Sequence, residues 1–282
     1  MSGIKRKILN STATCLKALL RLTGERNSTK ILAQLSEKLI PIIPIQTPKG
    51  LLKFFSPGIL PEWRAQTFLT KDTEIIEWLE SFRKDAVFWD VGANIGTYTL
   101  YAALNGAKVY AFEPSANNYY LMARNIEINK MDDRISALCL AFDDKTNLDS
   151  FYMGNTELGG AFNSFGVALD WEGKDFQPSF KQAMLGFSID DFIQRFNPLF
   201  PSYIKIDVDG IEDKILAGMQ KTLKDRRLLS MNIELNTQHP SYAKLKKIIE
   251  DAGLTLTTKS HSKELDNGPY AGVYNHLFVR NT

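Results

Sequence analysis

Apolar and polar positions along this chain change period several times, and the changes mark its elements. In the first 45 residues Ile4, Ile8, Cys15, Leu16, Leu19 and Leu20 recur at helical spacing among Lys5, Arg6, Lys7, Lys17 and Arg21, which predicts a basic amphipathic helix. A second helix is expected from about 28 to 40, with Ile31, Leu32, Leu35 and Leu39 on one face and Pro41 as its stop. A proline-punctuated connector follows. From 70 to 84, Asp72 and Glu74 lead and Arg83 and Lys84 trail, matching a helix dipole, while Ile75, Ile76, Leu79 and Phe82 form an inward stripe.

Beyond Ala86, short apolar runs alternate with helical patterns: strand 87–91, helix 95–105, strand 108–112, helix 116–129 and strand 134–140. The alternation resumes with helix 190–196, strand 203–208, helix 211–221, strand 228–235, helix 241–252 and strands 254–259 and 272–280. Such a series predicts an α/β fold built on a doubly wound, mostly parallel sheet. The expected division is a helical N-terminal extension, 1–84, followed by one α/β domain, 85–282. Between 147 and 186, Gly154, Gly159, Gly160, Gly166 and Gly173 lie among Phe151, Tyr152, Phe162, Phe165 and Trp171. An insertion of this length suits a lid over a substrate; the plainer reading is an added hairpin covering a sheet edge.

Residues 87–100, VFWDVGANIGTYTL, run from an apolar strand through an Asp-x-Gly-x-Asn-x-Gly turn into a helix. A dinucleotide fingerprint places glycine at the first turn position so that the backbone can approach a pyrophosphate. Here that position is Asp90. A carboxylate there repels phosphates and suits an ammonium, which points to S-adenosylmethionine, whose charged groups include an ammonium and a sulfonium. Gly92 and Gly96 would let the backbone pass close to this donor, and Asn94 could bond its carboxylate. Glu113 ends the next strand 17 residues after Gly96, close to the usual spacing of an acidic ribose ligand. Two plainer readings stand beside this one: a strand, turn and helix with no cofactor, and Asp90 as a simple helix cap.

The chain resembles the FkbM family of S-adenosylmethionine-dependent methyltransferases. The likeness runs through DVGANIGTYTLYAA (90–103), VYAFEPS (109–115), NNYYLMARNIEIN (117–129), FSIDDF (187–192), YIKIDVDGIEDKIL (203–216) and NIEL (232–235), and spans about 55 to 280. It implies a class I methyltransferase (Rossmann-like) domain whose last strand lies antiparallel between two others. It also implies adenine contacts around Ala141, Phe142 and Asp143, although Asp143 reads almost as well as an ordinary acidic strand end. The implied acceptor is a sugar hydroxyl of a glycan or glycolipid, or a secondary metabolite.

In an open parallel sheet ligands bind beyond the carboxyl ends of the strands, which collects IKIDVDG as a second site. Alternation puts Lys205, Asp207 and Asp209 on one side, with Glu212 and Asp213 in the first turn after Gly210. Crowded carboxylates are expected to raise at least one pKa and so supply a proton acceptor. The same oxygens could hold Mg²⁺, though spacing alone shows no metal ligand set, and Lys205 reads equally as their neutraliser. Glu234 and His276 are further cleft candidates, His276 as a base, although a lone strand histidine is more often packed. Trp63 and Arg64 could border the acceptor pocket or the surface.

Composition narrows the partners. The 282 residues are 44% hydrophobic and 23% charged, with a formal net charge of +2, which gives no electrostatic case for nucleic acid. Cys15 and Cys139 have no metal or disulfide spacing and read as plain buried residues in a reducing, cytoplasmic protein. Polar residues interrupt the basic start, arguing against a signal peptide. No apolar run approaches the roughly 20 residues of a membrane span, so a soluble protein is expected. A basic helix over residues 1–22 could touch an anionic membrane surface, but packing on its own domain or a partner is the commoner use. The expected activity is O-methylation. The rivals are an NAD-dependent oxidoreductase and a catalytically silent donor-binding protein.

Overall fold

Gly24 (φ +85°) turns helix α1 (Gly3–Arg21) into helix α2 (Glu25–Leu39), and these form the first of two compact units, Met1–Pro41 and Ile42–Thr282. The computed structural model describes residues 3–261, 268 and 270–281. The apolar stripe of the first unit stays partly open, with Leu16, Leu19 and Leu39 exposed.

The second unit begins with a feature the sequence reading missed. In place of a connector, β1 (Ile42–Thr47) and β2 (Gly50–Phe55) form an antiparallel hairpin. Pro44 is tolerated because a two-stranded sheet leaves each strand one unpaired side, where a missing N–H breaks no ladder. The stretch expected as helices joined by a connector is therefore helix, hairpin and helix. The helix read from 70 to 84 is α4 (Thr73–Glu80); a separate α3 (Ile59–Lys71) precedes it, and the two are broken at Asp72 (φ −130°, ψ 70°).

Then come β3 (Val87–Val91), α5 (Thr97–Leu104), β4 (Lys108–Phe112), α6 (Ala116–Asn129) and β5 (Ile135–Leu138). The chain next leaves the main sheet for β6 (Ala141–Phe142), β7 (Asn147–Met153), β8 (Asn163–Phe165) and β9 (Phe180–Phe187). It returns through α7 (Ile189–Phe196), β10 (Tyr203–Ile206), α8 (Glu212–Ala217), α9 (Gln220–Lys224), β11 (Ser230–Asn236), α10 (Tyr242–Asp251), β12 (Leu254–Ser260) and β13 (Val273–Arg280). The main sheet has the order β12-β13-β11-β10-β3-β4-β5, with β13 antiparallel to both neighbours. This is the class I methyltransferase arrangement that the resemblance implied.

The insertion is neither a bare loop nor a single hairpin. Its strands form a second sheet of order β6-β9-β7-β8, and an aromatic cluster fastens it to the first. Phe142 of β6 meets Phe112 of β4 at 4.7 Å, stacks near Trp89 of β3 at 6.2 Å and meets Phe192 of α7 at 5.7 Å. All four rings are buried, so truncating any one should cost about 3–5 kcal/mol. The cysteines differ from expectation: Cys15 and Cys139 are both exposed.

Candidate active site

A cavity lies past the carboxyl ends of β3, β4 and β10, where a parallel sheet leaves room for ligands. Val91, Gly92 and Asn94 form one wall, Glu113 and Phe112 a second, and Leu140, Ala141 and Phe142 a third; Asp207, Val208 and Asp209 close it on the β10 side. Gly92, Asn94, Glu113, Ala141, Phe142, Asp207 and Asp209 thus come together as the sequence suggests.

The glycines serve the protein's own packing more directly than a ligand. At Gly92 (φ +82°) an added Cβ would lie 1.9 Å from the Asp207 carbonyl oxygen, and at Gly96 (φ +83°) it would lie 2.9 Å from Met122 Cγ. Both need a backbone that side chains rarely adopt. Gly92 lines the cavity, whereas Gly96 sits behind it as the cap of α5.

Glu113 is only 5% exposed, and its two oxygens accept the Asn94 N–H (2.7 Å) and the Ser115 N–H (2.8 Å). Burial nevertheless pushes its carboxyl up to about 7, the two backbone bonds opposing this. Asn94 holds a left-handed φ of +51°. Its side-chain amide donates to the Gly160 carbonyl at 2.9 Å, while Oδ1 is buried without a partner. The free atom is an acceptor, which matches an ammonium better than the carboxylate expected of it.

Asp90 requires a correction. Its register partner across the sheet is Lys205, and it is 1% exposed beneath the cavity wall rather than in it. Oδ2 accepts Thr99 Oγ1 at 2.6 Å, and Oδ1 is without a hydrogen-bond partner. Burial raises its pKa against the opposing pull of Lys205. Alternation along β3 is the reason: Val91 and Asp90 face opposite sides, and the cavity takes Val91. Asp143 also lies outside the lining. It is buried with Lys214 Nζ 3.9 Å from Oδ1, the ordinary strand-end alternative.

Lys205, 1% exposed, reaches Asp207 Oδ2 at 2.5 Å and lies 5.1 Å from the centre of the Tyr98 ring. Burial works against both charges of this pair, but their attraction outweighs it, so Lys205 is held above its usual range and Asp207 below. Lys205 is therefore a neutraliser. Asp209 Oδ2 accepts the Asn163 N–H at 2.9 Å. Burial first, and Asp207 after it, push Asp209 up to about 6; burial raises Glu212 to about 8 and Glu234 well above the carboxylate range. Raised pKa values were expected from crowding, but loss of water is the larger cause.

His276 is the second correction. It is 0% exposed on β13, with Nε2 3.1 Å from the Tyr242 hydroxyl and Nδ1 2.9 Å from the Tyr274 carbonyl. Burial pushes it down to about 4. It lines neither this cavity nor the one beside it, so it has no access to a substrate proton. The Mg²⁺ option finds no support either: among the described residues no three His, Cys, Asp or Glu side chains converge as a metal ligand set.

The sequence reading left Arg64 open and missed Asn118 and Gly160. Arg64 of α3 lines the cavity and donates through Nε to the Gly159 carbonyl at 2.6 Å. Asn118 of α6 accepts the Gly159 N–H and donates to the Gly160 carbonyl, both at 2.9 Å. With Asn94 this makes three elements holding one turn of the insertion over the cavity. Double-glycine turns between aromatics were the available signal, but their partners are 41 to 95 residues away.

The methyltransferase FkbM domain model matches residues 90–255, more than half of the chain. The chain belongs to the FkbM methyltransferase family. Its fold is therefore an S-adenosylmethionine-binding, Rossmann-like one, and the NAD-dependent oxidoreductase reading is set aside. Among curated proteins, the hexuronic acid methyltransferase AglP of Haloferax volcanii is 24% identical over 183 residues, covering 65% of this chain and 70% of that protein. Among solved structures, precorrin-6y C5,15-methyltransferase of Geobacter metallireducens aligns at 14% identity and TM-score 0.45, covering 75% of this chain and 90% of the other. Magnesium protoporphyrin IX methyltransferase of Synechocystis with bound donor aligns at 11% identity and TM-score 0.44, covering 79% and 82%. No described helix is long and apolar enough to cross a membrane.

The residues present fit the family's donor. Glu113 would offer a buried carboxylate to ribose hydroxyls, Leu140, Ala141 and Phe142 an apolar slot to an adenine ring, and Asn94 Oδ1 an unpartnered acceptor to an ammonium hydrogen.

Proposed function

We propose that this FkbM-family enzyme methylates a hydroxyl group, and that the hydroxyl belongs to a sugar of a glycan or glycolipid. The observation that carries the reading is Asp209. It stands where the donor cavity meets a second, acidic cavity, and burial sets its pKa at about 6. A carboxylate of that strength is ionised at neutral pH and is a stronger base than an exposed aspartate. Alcohols need such help; amines need it less. The name of the Haloferax relative, a hexuronic acid methyltransferase, supports a sugar acceptor.

Bound S-adenosylmethionine supplies an electrophilic methyl group on a positively charged sulfur. Glu113, Ala141, Phe142 and Asn94 would hold it, and the Gly159–Gly160 turn would exclude water above it. Asp209 would take the proton of the acceptor hydroxyl as that hydroxyl's oxygen receives the methyl group. Asp207 keeps its charge because Lys205 is paired with it, and it favours positive charge nearby. Orientation supplies the rest of the rate.

The test is turnover. Labelled donor and fractionated cell-envelope sugars should yield S-adenosylhomocysteine and a methyl ether on a sugar carbon. Donor binding without turnover on any sugar fraction sinks this reading and favours a silent binding protein.

A further inference from the structure

Beside the donor cavity lies a second one that shares Val208 and Asp209 with it. Phe162, Trp171 and Tyr270 supply its rings, and Asp209, Glu212 and Glu234 its carboxylates. Phe162 and Tyr270 stack at 5.5 Å with 16° between their planes, and Trp171 meets Tyr270 at 4.6 Å. Phe162 is 45% exposed and has a φ of +66°. For a bulky residue that backbone is a strained outlier, and an exposed ring cannot recover the strain by core packing. Its place is instead at the junction of the two cavities, since the next N–H, that of Asn163, is bonded to Asp209.

Apolar rings and carboxylate acceptors lining one cavity complement the C–H face and the hydroxyl edge of a pyranose. No Lys, Arg or His lines this cavity among the described residues. Arg64, a cation close enough to act on Asp209, lines the donor cavity and is engaged with Gly159. A sugar carboxylate entering here would lose its water beside Asp209, Glu212 and Glu234, with no cation to pair with among the described lining residues.

We propose that this second cavity is the acceptor subsite, and that it takes an uncharged pyranose on the Phe162–Tyr270–Trp171 rings rather than a hexuronate. The proposal rests on the sugar-methylating reading above and departs from the substrate named for the Haloferax relative. It assigns Trp171 and Tyr270 to acceptor affinity and leaves donor affinity to the first cavity.

The experiment uses the full chain with S-adenosylmethionine and, as probes, methyl glycosides of glucose, galactose and mannose beside methyl glucuronide, reading S-adenosylhomocysteine formation. At least one neutral glycoside should be turned over with kcat/KM about tenfold or more above the glucuronide. Trp171→Ala and Tyr270→Ala should each raise its KM about tenfold, with kcat within about twofold and S-adenosylhomocysteine affinity unchanged. Tyr270→Phe should keep the wild-type KM. Preference for the glucuronide, or ring variants with unaltered KM, overturns the subsite while leaving sugar methylation standing. If no glycoside of either kind is methylated by a protein that binds S-adenosylhomocysteine, the sugar reading fails and this proposal with it.

Discussion

Asp90 and Asp207 flank Lys205, whereas Asp209, Glu212 and Glu234, placed two residues further along the same turn, in the following helix and on the next strand, border a cavity with no cation among its described lining residues. The five carboxylates are chemically alike, and their surroundings divide them. In the first group an ammonium offsets lost hydration for Asp207, at the carboxylate that is itself 38% exposed. In the second group burial outweighs what opposes it, Arg64 and the Asn163 N–H at Asp209 and Lys205 and Lys71 at Glu234, and all three carboxyls are raised. The first arrangement neutralises a lysine buried between β3 and β10; the second suits proton transfer. Of the five, only Asp207, bonded directly to Lys205, is held low.

Asp209→Asn breaks the comparison most directly, because the amide keeps an acceptor for the Asn163 N–H and loses the base. Turnover should fall about 10²- to 10⁴-fold with S-adenosylhomocysteine affinity unchanged. The rising limb of kcat/KM, expected near pH 6 in the wild type from the raised Asp209, should vanish. Full activity in this variant would place the base elsewhere.

Lys205→Met tests the other side. Removing a buried cation strands Asp90 and Asp207 and should cost about 3–5 kcal/mol, read as a lower denaturant midpoint. A variant as stable as the wild type would show that the pairing is incidental.

His276 calibrates both groups, since it is buried, hydrogen-bonded at both nitrogens and away from either cavity. Its folded pKa of about 4 lies below the ordinary 6.5, so between those values the unfolded chain binds more protons and stability falls as pH falls. The loss should approach about 3 kcal/mol at pH 4. Glu113 and Glu212 act oppositely, losing stability as pH rises from about 4.5 toward their folded values of about 7 and 8. Comparing His276→Asn with the wild type isolates the histidine: the difference in stability should change between pH 6.5 and 4 and stay flat above pH 7. No change in that window would contradict a depressed pKa.

The smallest effect concerns the turn over the donor cavity. Asn118→Ala leaves the Gly159 N–H without its acceptor and removes one of the two amide donors to the Gly160 carbonyl, which should cost about 1–3 kcal/mol. Release of S-adenosylhomocysteine should quicken in proportion, followed by stopped-flow fluorescence, while kcat on a saturating acceptor changes less. Unchanged release would mean that the turn does not gate the donor.

Local patterns carried the main sheet. Lys108–Phe112 and Ala116–Asn129 were legible to the residue because a short apolar run and a Ser115 cap are local signals. The hairpin at 42–55 was hidden by Pro41 and Pro44, which read as breakers until an unpaired edge is known. The second sheet was hidden because β7 pairs with β9 about 30 residues away, and no local period reports such pairing. At the site, spacing located the right turns but not the directions of side chains. Asp90 belongs to the family motif, yet the physical role first assigned to it, greeting an ammonium in the cavity, fails on the parity of one strand. Arg64, Asn118 and Tyr270 lie outside the Asp-x-Gly-x-Asn-x-Gly turn, and nothing in its spacing points to them.

Ala141 and Phe142 line the donor cavity and are also the strand on which the inserted sheet is hung, paired to Gly186 and Phe187 of β9. Ceiling and side wall are consequently one lamina. Whatever a ligand on one side does to tighten that lamina, the ligand on the other must experience with equal energy, so donor and acceptor affinities in this enzyme should be measured in each other's presence.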